Sequence, residues 1–586
     1  MAALVPELHD IGKLIDKRST GVEHNFENYP TQLCTNTWRG IVEHHCSANF
    51  QKYPSEIDTF KLCIADDLAA AVSRYSVEGE GLHVFNVYKL WKPPKEKLTQ
   101  SFIKTKEGVE ELIRFVAGNP NAKEFFARYR KILSTRAEDA TAGRNITSLL
   151  THSRLTGQFF RILLMDEKSF SIKSEEIRNL DRDKVAELIK KKKNEWKLSL
   201  IRFKFHFMQN PVRAKDLNVF RILENILNEI KKRFPDNVLF HTSDELLLIS
   251  SRGKQILEDI FRTIEEWGFW SEIVYAEVPI NSLKPRPEEI SGSVRETKYP
   301  TLSKEIEPPI CEICQMAKAA EQPWIDEESG IIEYICHRCQ KVREMGSLLI
   351  RFVEWERAEQ NPKVCWIKIW LDYETLIQSL VELYHKYLAS LGIDKRQAEV
   401  RFSVISEFQE DYYQFLTTMW QRVNDTFGLS NIQKVLSDFI SIRIESTNKI
   451  KSILTMYNKT FDEHFPMFKE VNSPVRLSIV CANAKFPFFE VWRLLCDAKR
   501  SVNVHLVGKG VIQLEVKDLD AFLKVRVGSK ALLHKLVRIS ELSQKLAEIT
   551  LYDRADRHFK KYEDMRIAFH KFGIQNMLTY IKMMGD

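Results

Sequence analysis

Read for the spacing of its apolar positions, the chain switches between helical and strand periods in a definite order. Leu4, Val5, Leu8, Ile11, Leu14 and Ile15 recur at helical spacing, which predicts a helix with one buried face that carries His9-Asp10. Thr37 to Asn49 and Ile57 to Tyr75 read as further helices, the second with Phe60, Leu62, Ile64, Leu68 and Ala71 inward. Gly79, Gly81, Pro93 and Pro94 break the period, so residues 76–100 read as loop and linker. Helices resume to about residue 135, and the segment from Asn145 to Gly157 leads into an amphipathic helix ending near Met165. Residues 1–165 therefore read as an all-α domain.

The period then changes. Leu198 to Met208 reads as a strand, Leu217 to Arg233 as a helix, Asn237 to His241 and Glu245 to Ser250 as a hairpin, Lys254 to Trp267 as a helix and Ser271 to Val278 as a strand. This βαββαβ order is a ferredoxin-like unit over residues 195–285, the core of many palm domains. Residues 281–304, rich in Pro, Glu and Ser, read as a linker, and a cysteine-bearing insert occupies 300–345. Lys363 to Leu371 reads as a strand ending at Asp372, followed by helix to about residue 465 that includes the aromatic-rich Phe408 to Trp420. Val475 to Cys481, Asn503 to Gly508 and Val511 to Val516 read as strands, with Phe488 to Lys499 a helix between them. Residues 360–528 are thus a second α/β unit with a helical insertion, and a diverged partner of the first. Residues 529–586 read as a C-terminal helical bundle. The expected fold class is α+β, multidomain.

At 586 residues the chain is too long for one core. Its composition, 44% hydrophobic and 28% charged, is that of a soluble globular protein. The net charge of +7 permits nucleic-acid binding without requiring it. With no run of eighteen apolar residues and no secretory signal, a cytoplasmic protein without membrane contact is expected. Lys190 to Lys193 ends a helix and reads as a solvated face.

Four of the ten cysteines form two Cys-x-x-Cys turns, Cys311-Glu312-Ile313-Cys314 and Cys336-His337-Arg338-Cys339. Each turn points two thiolates at one place, and two turns complete a closed tetrahedral Zn²⁺ site, hence a structural one. Cys34, Cys46, Cys63, Cys365, Cys481 and Cys496 read as buried thiols of a reducing compartment, and His337 as a neighbour of the zinc rather than a ligand. The second cluster of donors lies near the N-terminus. His9-Asp10 is followed by His24, by the pair His44-His45 and by Asp66 in Ala65-Asp66-Asp67-Leu68. Imidazoles and carboxylates together hold one or two divalent ions, which acidify water and neutralise a phosphate. His-Asp, then a histidine pair, then an Asp on a later helix is the ligand order of metal-dependent HD phosphohydrolases. His9, Asp10, His45 and Asp66 are the leading ligands, with His44 and His24 next. Lys13, one helical turn after His9, is a candidate for stabilising the phosphate, against a solvated alternative. Asp67 reads as a surface residue. His152 reads as a packed or capping residue rather than a catalytic one.

Taken in order, these pieces resemble the large signature subunit of type III CRISPR effector complexes. Leu8-His9-Asp10-Ile11-Gly12-Lys13, His44-His45 and Ala65-Asp66-Asp67-Leu68 look like that family's HD motifs. Thr147-Ser148-Leu149 through His152-Ser153 looks like its Thr-Ser-Leu-x-x-His-Ser segment. Ser478 through Lys485-Phe486-Pro487, followed by Asp497-Ala498-Lys499, looks like the strand and helix of its second palm. The resemblance is to a divergent branch with a degenerate palm. It implies an HD domain acting as a target-RNA-activated, metal-dependent single-strand DNA nuclease, with Mn²⁺, Ni²⁺ or Co²⁺ in the HD site. It also implies partnership with the other subunits of such a complex and, through it, with guide RNA and target RNA, and antiviral interference as the role. Active members carry Gly-Gly-Asp-Asp in the second palm, where paired carboxylates hold two metal ions for joining ATP into cyclic oligoadenylates. This sequence has no Gly-Gly pair, and its only Asp-Asp pair is Asp66-Asp67. Asp372 has no visible partner, so cyclic oligoadenylate synthesis is expected to be absent. Two alternatives stand beside this reading. One is a catalytically inactive scaffold subunit of the same complex. The other is a free-standing HD nucleotide phosphohydrolase, which leaves the zinc insert and the two palms unexplained.

Overall fold

The computed structural model describes residues 5–15, 56–71, 86–92, 103, 105–118, 120–139, 143–178, 180–207, 214–267, 269–280, 283–298, 309–315, 317–325, 330–345, 355, 362–393, 400–525, 535–536, 538–539, 543, 545–547, 549–550 and 567–584. It is a mixed α+β structure with one five-stranded and one six-stranded sheet. No helix among the described residues is long and apolar enough to cross a membrane.

Around His9-Asp10 the chain forms two 3-10 turns, Pro6–Leu8 and Ile11–Leu14, rather than the continuous helix its spacing predicts. Pro6 supplies no N–H and Gly12 weakens helix propagation, so the segment closes in short turns with His9-Asp10 at the joint. The buried face is as expected: Leu8, Ile11 and Leu14 pack with Leu112, Val116, Phe125 and Leu149. Helices α1 (Ile57–Ala71), α2 (Lys106–Ala117), α3 (Ala122–Leu133) and α4 (Leu149–Met165) complete this lobe. The following helix, α5 (Arg182–Glu195), leaves Lys190 and Lys191 exposed, as a solvated face requires, but turns the rest of the run inward. Lys192 is buried and pairs with Glu176 at 3.2 Å, and Lys193 pairs with Asp67 of α1. A helix that packs on α1 turns part of any four-residue run inward, whatever its charge.

The first sheet holds β1 (Lys197–Phe207), β2 (Val238–His241), β3 (Glu245–Ser250), β4 (Phe269–Pro279) and β5 (Val294–Lys298), with α6 (Asn218–Arg233) and α7 (Gly253–Trp267) as its crossovers. Its order is β2-β3-β1-β4-β5, and β1 pairs along its whole length with β4. β5 lies inside residues 281–304, which read as linker. It is an edge strand of sequence Val-Arg-Glu-Thr-Lys, and charge on an edge strand looks like linker composition.

The second sheet holds β8 (Lys363–Leu371), β9 (Ile432–Leu436), β10 (Phe439–Ile444), β11 (Val475–Asn483), β12 (Val502–Leu506) and β13 (Gly510–Leu514) in the order β13-β12-β11-β8-β10-β9. Its helices are α9 (Tyr373–Ser390), α10 (Phe402–Phe427), α11 (Lys449–His464), α12 (Phe488–Cys496) and α13 (Val516–Leu523). The hairpin β9–β10 corrects the expected unbroken helix to residue 465. Its two short strands gain their stability from pairing β10 on β8, a contact remote in sequence. With that hairpin, β9-β10-β8-β11 repeats the order β2-β3-β1-β4, so the two units share one core topology.

Helix α6 packs between the two units. Phe220 lies 4.7 Å from Trp492 and 5.7 Å from Phe439, ring to ring, in an apolar cluster shared by both sheets. The cysteine insert, with strands β6 (Trp324–Ile325) and β7 (Ile332–Glu333) and helix α8 (His337–Glu344), is fastened to the first unit by Arg343. That guanidinium is fully buried and donates to Asp216 at 2.6 Å. Near the C-terminus, α14 (Ile574–Met584) docks on β13, where Asn576 exchanges amide hydrogen bonds of 2.8 and 2.9 Å with the backbone of Gln513. Gly510, at φ +132°, leaves the room that Thr579 fills; a Cβ there would sit 2.5 Å from its hydroxyl.

Candidate metal centres

The N-terminal lobe brings four donors to one point from three elements. His9 and Asp10 come from the joint between the 3-10 turns, Asp66 from α1, and His152 from the first turn of α4; their ligand atoms all lie within 4.8 Å of one another. Local sequence explains the convergence. Ser148 caps α4 by accepting from Thr151 N–H at 3.3 Å, which sets His152 one turn in. Gly157, one and a half turns later, has no side chain, and the Glu7 carboxylate occupies that space. Glu7 also receives Arg161 of α4, which donates to Asp236 at 2.6 Å as well, so the turn carrying His9 is clamped onto the helix carrying His152.

The histidine tautomers follow from their outer partners. His9 Nδ1–H donates to Pro6 O at 2.8 Å, leaving the Nε2 lone pair facing the cluster. His152 Nδ1 lies 3.1 Å from the buried Glu138 carboxylate and its Nε2 faces inward. The two Nε2 atoms are 3.1 Å apart, with Asp66 Oδ1 at 3.0 Å from His152 and 3.2 Å from His9, and Asp10 Oδ2 at 3.4 and 3.5 Å. Burial pushes the Asp66 carboxyl up, but hydrogen bonds from His152 and His9 outweigh it and hold the group well below the usual range. Burial likewise pushes His152 down, and Glu138, Asp10 and Asp66 together drive it well above its ordinary value. Two imidazole Nε2 atoms converging beside two carboxylates in a buried pocket form a donor set that fits a divalent cation, which takes the place of the proton the carboxylates hold on His152.

Of the expected HD ligands, the structure therefore brings His9, Asp10 and Asp66 together. His24, His44 and His45 lie outside the described residues. Asp67 turns away to Lys193, and it is about half exposed. Lys13 is buried rather than solvated, with Nζ 2.6 Å from Asp10 Oδ2. His152 is the member that sequence reasoning set aside, and Glu138 was not singled out. The signal for His152 was its place one turn after a serine cap, which fixes its direction only once α4 is packed on α1.

The second centre is Cys311, Cys314, Cys336 and Cys339, whose sulfurs also lie within 4.8 Å of one another, with Cys314 and Cys336 3.7 Å apart. Gln315 closes the first turn in the left-handed region at φ +55°, and its N–H donates to Cys311 O at 2.9 Å. Ile313 and Ile335 pack against the cysteines, so the site has its own small core. Four thiols so placed suit a tetrahedral cation.

Between the two α/β units lies a cleft of about 660 Å³, lined among others by Arg202, Asp244, Lys368, Trp370 and Asp372. The tips of the two hairpins meet there, Ser243 Oγ donating to Asp438 Oδ2 at 2.6 Å. Several carboxylates at the cleft are engaged by the chain's own cations. Lys368 lies 3.2 Å from Asp438, Arg476 donates to Asp372 at 2.6 Å, and Arg202 pairs with Glu245 and Glu374. Asp372 additionally caps α9, accepting from Thr375 N–H at 3.0 Å. Among the described residues the cleft holds no cluster of metal donors.

Helix α10 ties these places together. Glu407 accepts from Ser148 N–H, the cap of α4, at 2.9 Å; Tyr413 donates to His241 Nδ1 at 2.8 Å; and Trp420 donates to Ser437 O, in the β9–β10 turn, at 2.7 Å.

No protein-family model matches the sequence, and no curated protein matches it. The fold does match solved structures. It resembles a chain of a Csm1-Csm4 cassette crystallised with one ATP, at 12% identity and a TM-score of 0.51, covering 99% of this chain and 98% of that one. The cassette with AMPPNP gives 12% identity, a TM-score of 0.52 and 98% coverage of each chain. The Csm1-Csm4 subcomplex in the type III-A CRISPR-Csm interference complex gives 13%, 0.50 and 99% of each. The likeness is one of fold, and it runs from end to end.

Proposed function

We propose that this chain is the large subunit of a type III CRISPR interference complex and that its N-terminal lobe is a metal-dependent single-strand DNA nuclease switched on by target RNA. The observation that carries the reading is a single end-to-end fold, shared over 98–99% of both chains with Csm1-Csm4 assemblies, that holds a buried two-histidine, two-aspartate cluster at its start. His9, Asp10, Asp66 and His152 would hold the ion. A divalent ion such as Mn²⁺, Ni²⁺ or Co²⁺ supplies acidification of water and neutralisation of the scissile phosphate. The chain's part is placement: Pro6 O and Glu138 keep both imidazole Nδ1 atoms outward, and Lys13 holds Asp10 while adding a positive charge beside it. The four cysteines would hold a structural Zn²⁺ that stabilises an insert too small to fold on apolar burial alone.

The same reading assigns no cyclic oligoadenylate synthesis to the cleft. A buried ammonium already matches the charge of Asp438, and Arg476 that of Asp372, which disfavours a divalent ion at either. One observation favours the alternative of an inactive scaffold: Lys13 occupies Asp10 Oδ2, an oxygen the metal would need. Purifying the tagged full chain from its own cells and sequencing the RNA that comes with it tests complex membership. Guide RNAs together with a Csm4-type subunit are expected; a chain that purifies without RNA contradicts it.

A further inference from the structure

The central strands of the second sheet carry two cysteines that neither metal centre uses. Cys365 of β8 and Cys481 of β11 stand directly opposite each other in the antiparallel ladder. Both are buried free thiols, on the face that also carries Ile367, Ile369 and Ile479. Two backbone hydrogen bonds fix the phase of that ladder. Asp372 N–H donates to Pro474 O and Ala484 N–H to Pro362 O, each at 2.9 Å. Hydrogen-bonded pairs recur at every second residue. Asp372 with Pro474 and Pro362 with Ala484 belong to that set, so Cys365 with Cys481 falls between its members. In such non-hydrogen-bonded pairs the Cα atoms are about 4.5 Å apart, inside the span of about 4.4 to 6.8 Å that a disulfide bridges. The two thiols are within hydrogen-bonding reach of each other.

Contact alone does not make a thiol reactive; an oxidant has to reach it. Cys481 lines a cavity of about 310 Å³ at the end of β11, together with Thr447, Ala482, Asn483 and Leu506. Cys365 is fully buried, and burial pushes its thiol well above its ordinary value. The roles of the two therefore separate. Cys481 is the sulfur an oxidant meets, and Cys365 is the one that resolves it.

We propose that Cys365 and Cys481 form a reversible redox staple, which a hydroperoxide oxidises to a disulfide that locks β8 to β11. It goes beyond the nuclease reading and does not depend on it. Cys481 Sγ, as thiolate, attacks a peroxide oxygen. The O–O bond breaks, Cys481 becomes a sulfenic acid, and the leaving oxygen takes up the thiol proton to depart as water or an alcohol. Cys365 Sγ then attacks the sulfenic sulfur. The S–S bond forms, the S–O bond breaks, and hydroxide leaves with the Cys365 proton as water. The thiols lose two electrons and the peroxide gains them. The test exposes the folded full chain to hydrogen peroxide, unfolds it in the presence of iodoacetamide and digests it with trypsin. The peptides Val364–Lys368 and Leu477–Lys485 are expected as one disulfide-linked species that dithiothreitol separates. In Cys365→Ser, Cys481 should instead be trapped by dimedone as the sulfenic acid. The linked chain should also keep its fold to a higher urea concentration than the reduced one, because the bond closes a loop of roughly 115 residues. Cys365 and Cys481 that both remain open to alkylation, at a peroxide dose that oxidises exposed Cys496, overturn the proposal. Linkage that appears only when peroxide meets the urea-unfolded chain overturns it too, as does equal urea resistance with and without the bond.

Discussion

Replacing Glu138 by glutamine tests how the N-terminal cluster is built. Glu138 stands behind the cluster, 3.1 Å from His152 Nδ1, and both groups are buried. Glutamine keeps the size and an acceptor oxygen but removes the charge that pins the tautomer and raises imidazole basicity. Loss of such an outer partner lowers metal affinity about 10- to 100-fold, or about 1.4 to 2.7 kcal/mol. Metal at about 100 times its dissociation constant stabilises the folded chain by about 2.7 kcal/mol. A hundredfold weaker site leaves about 0.4 kcal/mol at the same concentration. A tenfold weaker site leaves about 1.4 kcal/mol. At roughly 2 to 4 °C per kcal/mol for a lobe of this size, Mn²⁺ should raise the wild-type melting of that lobe by about 5 to 10 °C and that of Glu138→Gln by about 1 to 6 °C. Differential scanning fluorimetry of the full chain across a Mn²⁺ titration reads both, with His152→Ala as the variant that lacks the ligand itself. A wild-type Mn²⁺ response in Glu138→Gln would refute the reasoning, because the outer carboxylate would then be irrelevant to the site.

Three further outcomes follow from the geometry. Cys339→Ser should drop bound zinc from one ion per chain to far less than one by plasma mass spectrometry, and loosen the insert around α8 in hydrogen exchange. Glu407→Ala leaves Ser148 N–H buried without its carboxylate, so it should cost about 1 to 3 kcal/mol in denaturant unfolding and raise exchange over residues 148–152. Burial, aided by the Lys231 ammonium, holds His241 down at about 3, while Tyr413 donates to its neutral ring. The folded value lies below the unfolded one of about 6.5, so the stability from the neutral ring is whole above pH 6.5 and is lost as the pH falls toward 3. By pH 5 the loss is about 2 kcal/mol, and His241→Gln should flatten that part of the pH profile.

The parts of this protein that were legible in the sequence are those set by local spacing. The first four strands of the first sheet, the helices between them and the two Cys-x-x-Cys turns each announce themselves within a few residues. What was hidden depends on partners remote in the chain. The hairpin Ile432–Ile444 is stable because β10 lies on β8, about seventy residues earlier in sequence, and β5 looks like linker because an edge strand tolerates charge. His9-Asp10 and Asp66 stood out by their pairing and order, whereas His152 had nothing beside it to mark it as a ligand. Its role appears only when Gly157 and Arg161 bring α4 against the turn that carries His9. Lys13 shows the converse: its position relative to His9 invites a catalytic part, yet packing sets it on Asp10.

The most direct test of the account is cleavage of labelled single-stranded DNA and RNA by the assembled complex in Mn²⁺, with and without target RNA. Wild type would be compared with His9→Ala/Asp10→Ala and with His152→Ala. The account predicts target-dependent DNA cutting that falls by about a hundredfold or more in both variants, since each removes ligands of one metal site. Cutting that persists unchanged in both would contradict it and leave this chain a scaffold.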